Sequence, residues 1–177
     1  MTDGEIPLRM QTARLLGVKA GQREGTLLLY RDKLAHVSSP AIRWCTSAGV
    51  VAVFIIGFAL ARTGPGALGA LIGAGVGWMT GTAIAKSKAP GEVAAGGDGV
   101  TVIPLDSITS LKAGKPTGIG GWLRRQSLVV TTANGVEYRF GAKPASWLAD
   151  LASALTARGS GVRAIPQGIA VAPASHE

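Results

Sequence analysis

The chain has 177 residues, of which 47% are hydrophobic, only 16% are charged and 26 are glycine. That length holds one ordinary domain, or a small domain plus an anchor. The single cysteine, Cys45, excludes an internal disulfide and makes a thiolate metal site implausible. The formal net charge of +8 lacks the stripe of cations and aromatics that nucleic-acid binders carry, so it points to anionic lipid instead.

Taken in chain order, residues 1–20 open with MTDGEIPLRMQTARLLG, which is too polar for a signal peptide. Within residues 21–40, Thr26-Leu27-Leu28-Leu29-Tyr30 and Leu34-Ala35-His36-Val37 are short apolar runs on either side of Arg31-Asp32-Lys33. They predict a first strand pair.

Residues 41–88 predict a transmembrane helical hairpin. The segments 44–61 (WCTSAGVVAVFIIGFALA) and 67–85 (ALGALIGAGVGWMTGTAIA) carry no charge and no polar stripe. As helices they would span about 27 Å and 28 Å, close to a hydrocarbon core of about 30 Å. The linker Arg62-Thr63-Gly64-Pro65-Gly66 breaks the helix and forces antiparallel neighbours. Being the first apolar segment, 44–61 would also serve as the targeting signal. Arg31, Lys33, Arg43, Lys86 and Lys88 flank the hairpin, against Arg62 alone in the turn. That bias predicts an inner (cytoplasmic) membrane location with both termini cytoplasmic. Cys45, at the start of the first helix, reads as a small packing residue, with S-acylation as the sharper alternative.

Gly69, Gly73, Gly77 and Gly81 recur at intervals of four, so they line one helix face and leave a groove without side chains. A second helix can approach such a groove closely. The pattern resembles the glycine-zipper hairpins of several bacterial membrane proteins. It implies close packing, either within the hairpin or in a homo-oligomer.

Residues 96–158 continue with strands. Val100–Ile103 is one, Leu105–Leu111 a turn and strand, and Ser127–Thr132 and Val136–Phe140 flank Ala133-Asn134-Gly135, a strong hairpin signal. Trp147, Leu148, Leu151, Ala154 and Leu155 then recur at helical spacing after Pro144, with Arg158 and Gly159 as the stop. Residues 159–177, rich in Gly, Pro and Ala, read as a disordered tail.

No catalytic constellation emerges. His36 sits in a strand with no acid or cysteine nearby in sequence, and reads as a surface or partly buried residue; His176 belongs to the tail. No His/Cys/Asp/Glu cluster has metal-ligand spacing. Ala113-Gly114-Lys115-Pro116-Thr117 looks superficially like a phosphate loop, but Thr109 and Pro116 stand where Gly and Ser/Thr are required. The expectation is no enzyme, no cofactor, no metal and no nucleic acid. One polar segment does hold candidate contacts. Lys112, Lys115, Arg124 and Arg125 surround glycines and Trp122, a composition that suits an anionic lipid interface or a protein partner. A solvated loop with Trp122 folded onto the core is its ordinary alternative.

GTLLLYRDKLAHVSS, IPLDSITSLKAGK, and SLVVTTANGVEYRF followed by WLADLASAL resemble the bacterial pleckstrin-homology-like, or GRAM-like, domains over roughly eighty residues. The fold class expected is therefore an α+β membrane protein: a small antiparallel sheet or partial barrel with a C-terminal amphipathic helix, plus the inserted hairpin. The function expected is a non-enzymatic, membrane-anchored binding or scaffolding module facing the cytoplasm. Its rival is an oligomer of Gly-rich hairpins forming a pore or membrane assembly, with the strands as a soluble cap.

Overall fold

A computed structural model describes residues 6–16, 23–61, 67–117, 125–142, 144–165 and 168–172. Nine strands form one antiparallel open sheet: β1 (Arg9–Leu16), β2 (Arg23–Leu29), β3 (Lys33–Ser38), β4 (Val100–Pro104), β5 (Ile108–Thr117), β6 (Arg125–Thr132), β7 (Glu137–Phe140), β8 (Gly161–Ile165) and β9 (Gly168–Ala172). Their order is β4-β3-β2-β1-β7-β6-β5-β9-β8. Three α-helices, α1 (Ala41–Ala61), α2 (Ala67–Ala95) and α3 (Pro144–Ala157), and a 3-10 turn at Leu105–Ser107 complete the described chain.

Strand β2 explains the layering. Alternate side chains of a strand point to opposite faces. Leu27 and Leu29 enter one apolar cluster, whereas Leu28 and Tyr30 enter another. Both faces of this strand are covered, so its sequence is a continuous apolar run rather than an alternation. The larger cluster lies under α3, where Trp147, Leu151 and Leu155 are completely buried with Phe140, Leu128 and Leu105. The Trp147 Nε1–H donates to Gln11 Oε1 at 2.5 Å, which removes the cost of burying that polar group. The smaller cluster lies under the second half of α2. There Ala89 meets Leu28, Tyr30, Ala35 and Val37, with Val93 packed alongside.

Local chemistry fixes the ends of these elements. Gly135 has φ of 77° and donates its N–H to Thr132 O, making a turn closed by a left-handed residue between β6 and β7. After α3, Ser160 N donates to Leu155 O and Gly159 N to Thr156 O, with Gly159 at φ 78°. That pair of bonds is the Schellman ending. Strands β3 and β4 pair from Lys33↔Pro104 to Val37↔Val100, and Ser38 N donates to Gly99 O at 2.9 Å. The α1–α2 insertion thus leaves and re-enters the sheet at neighbouring points.

Several expectations need correction. The membrane part of the fold class does not hold: among the described residues, no helix is long and apolar enough to cross a membrane. The physical reasons lie in both helices. α2 does not stop at Ala85 but runs on through Lys86, Lys88, Pro90 and Glu92 to Ala95, and its last turns pack on the sheet. Its repeated glycines add length without hydropathy. α1 begins at Ala41, has Ile42 buried at its root and carries Arg43 in its first turn. The helix pair is therefore an α1–α2 packing unit on the sheet. The labels integral membrane protein and transmembrane helix fall with the span.

The sheet is also larger than the small sheet or partial barrel expected. Residues 9–16, assigned to an N-terminal segment, form β1 and pair with β2 from Arg9↔Leu29 to Leu15↔Arg23. Residues 161–165 and 168–172, read as disordered, form a hairpin added to the β5 edge through Ser110↔Ala170 and Lys112↔Gly168. Apolar Val162, Ile169 and Val171 pack against the main cluster, enough to hold a Gly- and Ala-rich segment in place. His36, expected at or near the surface, is fully buried.

Candidate functional site

Two surfaces stand out, on opposite faces of β2. The first is the helix pair. Gly49 of α1 and Gly73 and Gly77 of α2 lie where the backbones come closest. A Cβ at Gly77 would overlap the carbonyl of Cys45, and one at Gly73 would lie 2.5 Å from Gly49 O and 2.6 Å from Val53 Cγ2. A Cβ at Gly81 would lie 2.8 Å from the Ile42 Cα. Gly69 is half-buried on the same helix. The row of small residues is thus engaged by α1 of the same chain, and the larger side chains are turned outward.

Those outward side chains are apolar. Trp44, Val51, Phe54, Ile55 and Ile56 on α1 and Leu71, Ile72, Val76, Trp78 and Met79 on α2 are all exposed, with Ile55 at 63% and Leu71 at 69%. Isolated exposed apolar residues are ordinary, but a contiguous field of them marks an interaction surface. Four hydroxyls of the pair bond to its own backbone. Thr46, Thr80, Thr82 and Ser87 donate to Ile42 O, Val76 O, Met79 O and Ile84 O at 2.7–3.0 Å. Such bonds hide polar groups that would resist an apolar setting. At the root of the pair, Arg43, Lys86 and Lys88 are exposed.

The second surface is a groove of about 600 Å³ between the start of β1, the end of β2 and the last turns of α3. Leu8, Leu29, Ala154 and Ala157 supply its apolar lining, and Arg9, Arg31, Asp150 and Arg158 its charges. Arg9 is pinned: it donates to Ser146 O at 3.0 Å and Ser146 Oγ at 2.9 Å, pairs with Asp150, and lies 4.9 Å over the Trp147 ring. Arg158 is held by Asp106 through a two-pronged pair at 2.9 and 2.6 Å. The Asp106 hydrogen bond, opposed by desolvation and helped by the charges of Asp106 and Asp32, raises the Arg158 pKa above its ordinary value. It is a permanent cation.

The basic segment singled out in the sequence is placed only in part. Lys112 is exposed on β5, opposite Val129 of β6 and Gly168 of β9. Lys115 continues β5 and Arg125 opens β6, while Trp122 and Arg124 lie outside the described residues. α2 packs on β1, β2 and β3, so Lys112 belongs to a different part of the sheet from the helix pair. The arginine groove escaped sequence reading because its members are spread over 150 positions, and no spacing signals their meeting. Buried His36 has Nε2 3.4 Å from Ala13 O and its ring 5.9 Å from that of Phe140, a core position beneath α3's cluster. Among the described residues, no three His, Cys, Asp or Glu side chains gather as a metal ion would need.

Comparison with known proteins adds little to this geometry. No family model matches the chain, and no curated protein sequence does. A crystal structure of the C-terminal domain of an unknown protein from Leishmania infantum is similar at 11% identity, with a TM-score of 0.42, over 85% of this chain and 84% of that one.

Proposed function

We propose that the chain is a non-catalytic, pleckstrin-homology-like binding or scaffolding module that attaches to an anionic lipid surface through the outer flank of its helix pair. The single observation behind this reading is the field of exposed apolar side chains with Arg43, Lys86 and Lys88 at its root. Apolar side chains gain by leaving water for the acyl boundary, and cations gain roughly 1 kcal/mol each beside anionic headgroups. The net charge of +8 suits the anionic cytoplasmic leaflet of an inner membrane. The proposal concerns attachment at a lipid surface; a span is no part of it. The sheet, on this reading, presents its remaining surface to a protein partner.

The test is flotation of the full chain, synthesised without membranes, with anionic or neutral vesicles. The chain is expected to float with anionic vesicles at low salt and less with neutral ones. Replacing Arg43, Lys86 and Lys88 together by Ser removes about 3 kcal/mol, a loss of roughly two orders of magnitude in partition. A folded chain that ignores anionic vesicles at low salt, or that covers the flank by forming a stable oligomer, sinks the proposal.

A further inference from the structure

We infer that the groove between β1 and α3 is a binding site for a small amphipathic monoanion, an organic carboxylate with an apolar body. It is separate from the helix pair, so this inference does not depend on lipid attachment. Its volume of about 600 Å³ falls within the range of small-molecule sites, and Leu8, Leu29, Ala154 and Ala157 offer an apolar surface for the ligand's body.

The charge around the groove selects the head group. Arg9 is matched by Asp150, and Arg158 by Asp106. Asp32, whose charge also reaches Arg158, is matched by Lys33 at 4.0 Å, so Arg31, exposed in the turn after β2 and making no ion pair among the described residues, leaves one cation in excess. A carboxylate balances that charge, whereas a dianionic phosphate would bring a second negative charge toward Asp150. The geometry favours recognition too. Arg9 and Arg158 already give their donors to partners and form fixed walls, which leaves the Arg31 guanidinium to meet the head group. A guanidinium also presents a planar fork of donors that matches a carboxylate. The Ser153 hydroxyl, at the exposed edge of the groove on α3, supplies a neutral donor.

The experiment uses the full chain and three probes that differ only in the head group: phenylbutyrate, phenylbutanol and phenylbutyl phosphate. Binding is followed by NMR through the methyl resonances of Leu29, Ala154 and Ala157, which report on this groove and not on the helix pair. Phenylbutyrate is expected to shift these methyls saturably, and the alcohol and the phosphate to bind at least tenfold more weakly. R31Q should weaken phenylbutyrate tenfold or more. Ala157→Trp, at an exposed helix position where folding is not at stake, should block the groove and abolish the shifts. Non-saturating shifts, equal binding of the alcohol, preference for the phosphate, or unchanged affinity in R31Q would each overturn the inference.

Discussion

Helix α3 and the α1–α2 pair meet the same sheet from opposite faces, yet they meet it in different ways. α3 gives its large apolar side chains to the sheet: Trp147, Leu151 and Leu155 are completely buried, and only small residues such as Ala149, Ser153 and Ala157 are exposed on its other side. The pair gives the sheet only its root, through Ile42, Ala85 and Ala89, and leaves large apolar side chains uncovered along most of its length. The difference separates two tasks. α3 stabilises the fold, whereas the pair is held on by a small cluster and keeps most of its apolar surface uncovered. The sheet's second face needs only the last turns of α2 to cover it, so the apolar sides of the rest of the pair are not used in that packing.

The comparison can be broken first at α3. Trp147→Ala removes the largest buried side chain under the sheet and leaves Gln11 without its donor. The expected loss is about 3–5 kcal/mol, a large part of a domain's stability. Chemical denaturation followed by circular dichroism would measure it. A loss under 1 kcal/mol would mean that α3 is as loosely attached as the pair.

A smaller effect is expected inside the pair. Gly77→Ala places a methyl against the Cys45 carbonyl, so the helices must part or tilt. Overpacking of this kind costs about 1–3 kcal/mol. Because the pair touches the sheet only at its root, the cost should appear as a local opening. Hydrogen exchange should rise in α1 and the first half of α2, while the sheet keeps its protection. Equal acceleration in β2 and β6 would show that pair and sheet unfold as one unit.

Smaller again is the effect of Gly159→Ala. The position has φ of 78° with nothing within 4 Å of an added Cβ, so only backbone strain is introduced. That strain is about 1 kcal/mol, a fall of roughly 2–4 °C in Tm for a chain of this size. An unchanged Tm would mean that the helix end relaxes without cost.

Much of the sheet face covered by α3 was legible in the sequence. The spacing of Trp147, Leu151 and Leu155, the Asn134-Gly135 turn and the Gly159 stop all act locally, and local signals survive in a linear reading. The sheet's extent did not. β1 has Arg9 and Arg14 inside it and is held by pairing with β2 and by α3 contacts, which depend on residues far along the chain. The β8–β9 hairpin lies in a stretch whose Gly and Pro content imitates disorder. The helix pair misleads for a different reason. The absence of a polar stripe was real, but that pattern does not show where a helix ends, and α2 continues past Lys86 and Lys88 onto the sheet. The arginine groove was invisible, because Arg9, Arg31, Asp150 and Arg158 meet only through the fold.

The smallest effect on stability, and the one that bears most on function, is expected on the outer flank of the pair. Ile55 and Leu71 are 63% and 69% exposed, and neither takes part in the buried clusters. Replacing either by Asp removes little that the folded chain uses, so the change in stability should stay within about 0.5 kcal/mol. Attachment to vesicles should respond very differently. Burying a side chain of this size in an apolar setting contributes roughly 1.5–3 kcal/mol, and an ionised carboxylate there adds a desolvation cost. Each substitution should therefore lower flotation with anionic vesicles at least tenfold while leaving Tm in solution unchanged. Substitution to Asp at Val136, an exposed apolar residue in the turn between β6 and β7, serves as the control and should leave flotation intact. If Ile55→Asp instead lowers Tm by several degrees in the absence of lipid, the flank is already covered in solution by a second copy of the chain. The pair would then be an assembly surface, and the distinction between a folding helix and a docking helix would hold with a different partner.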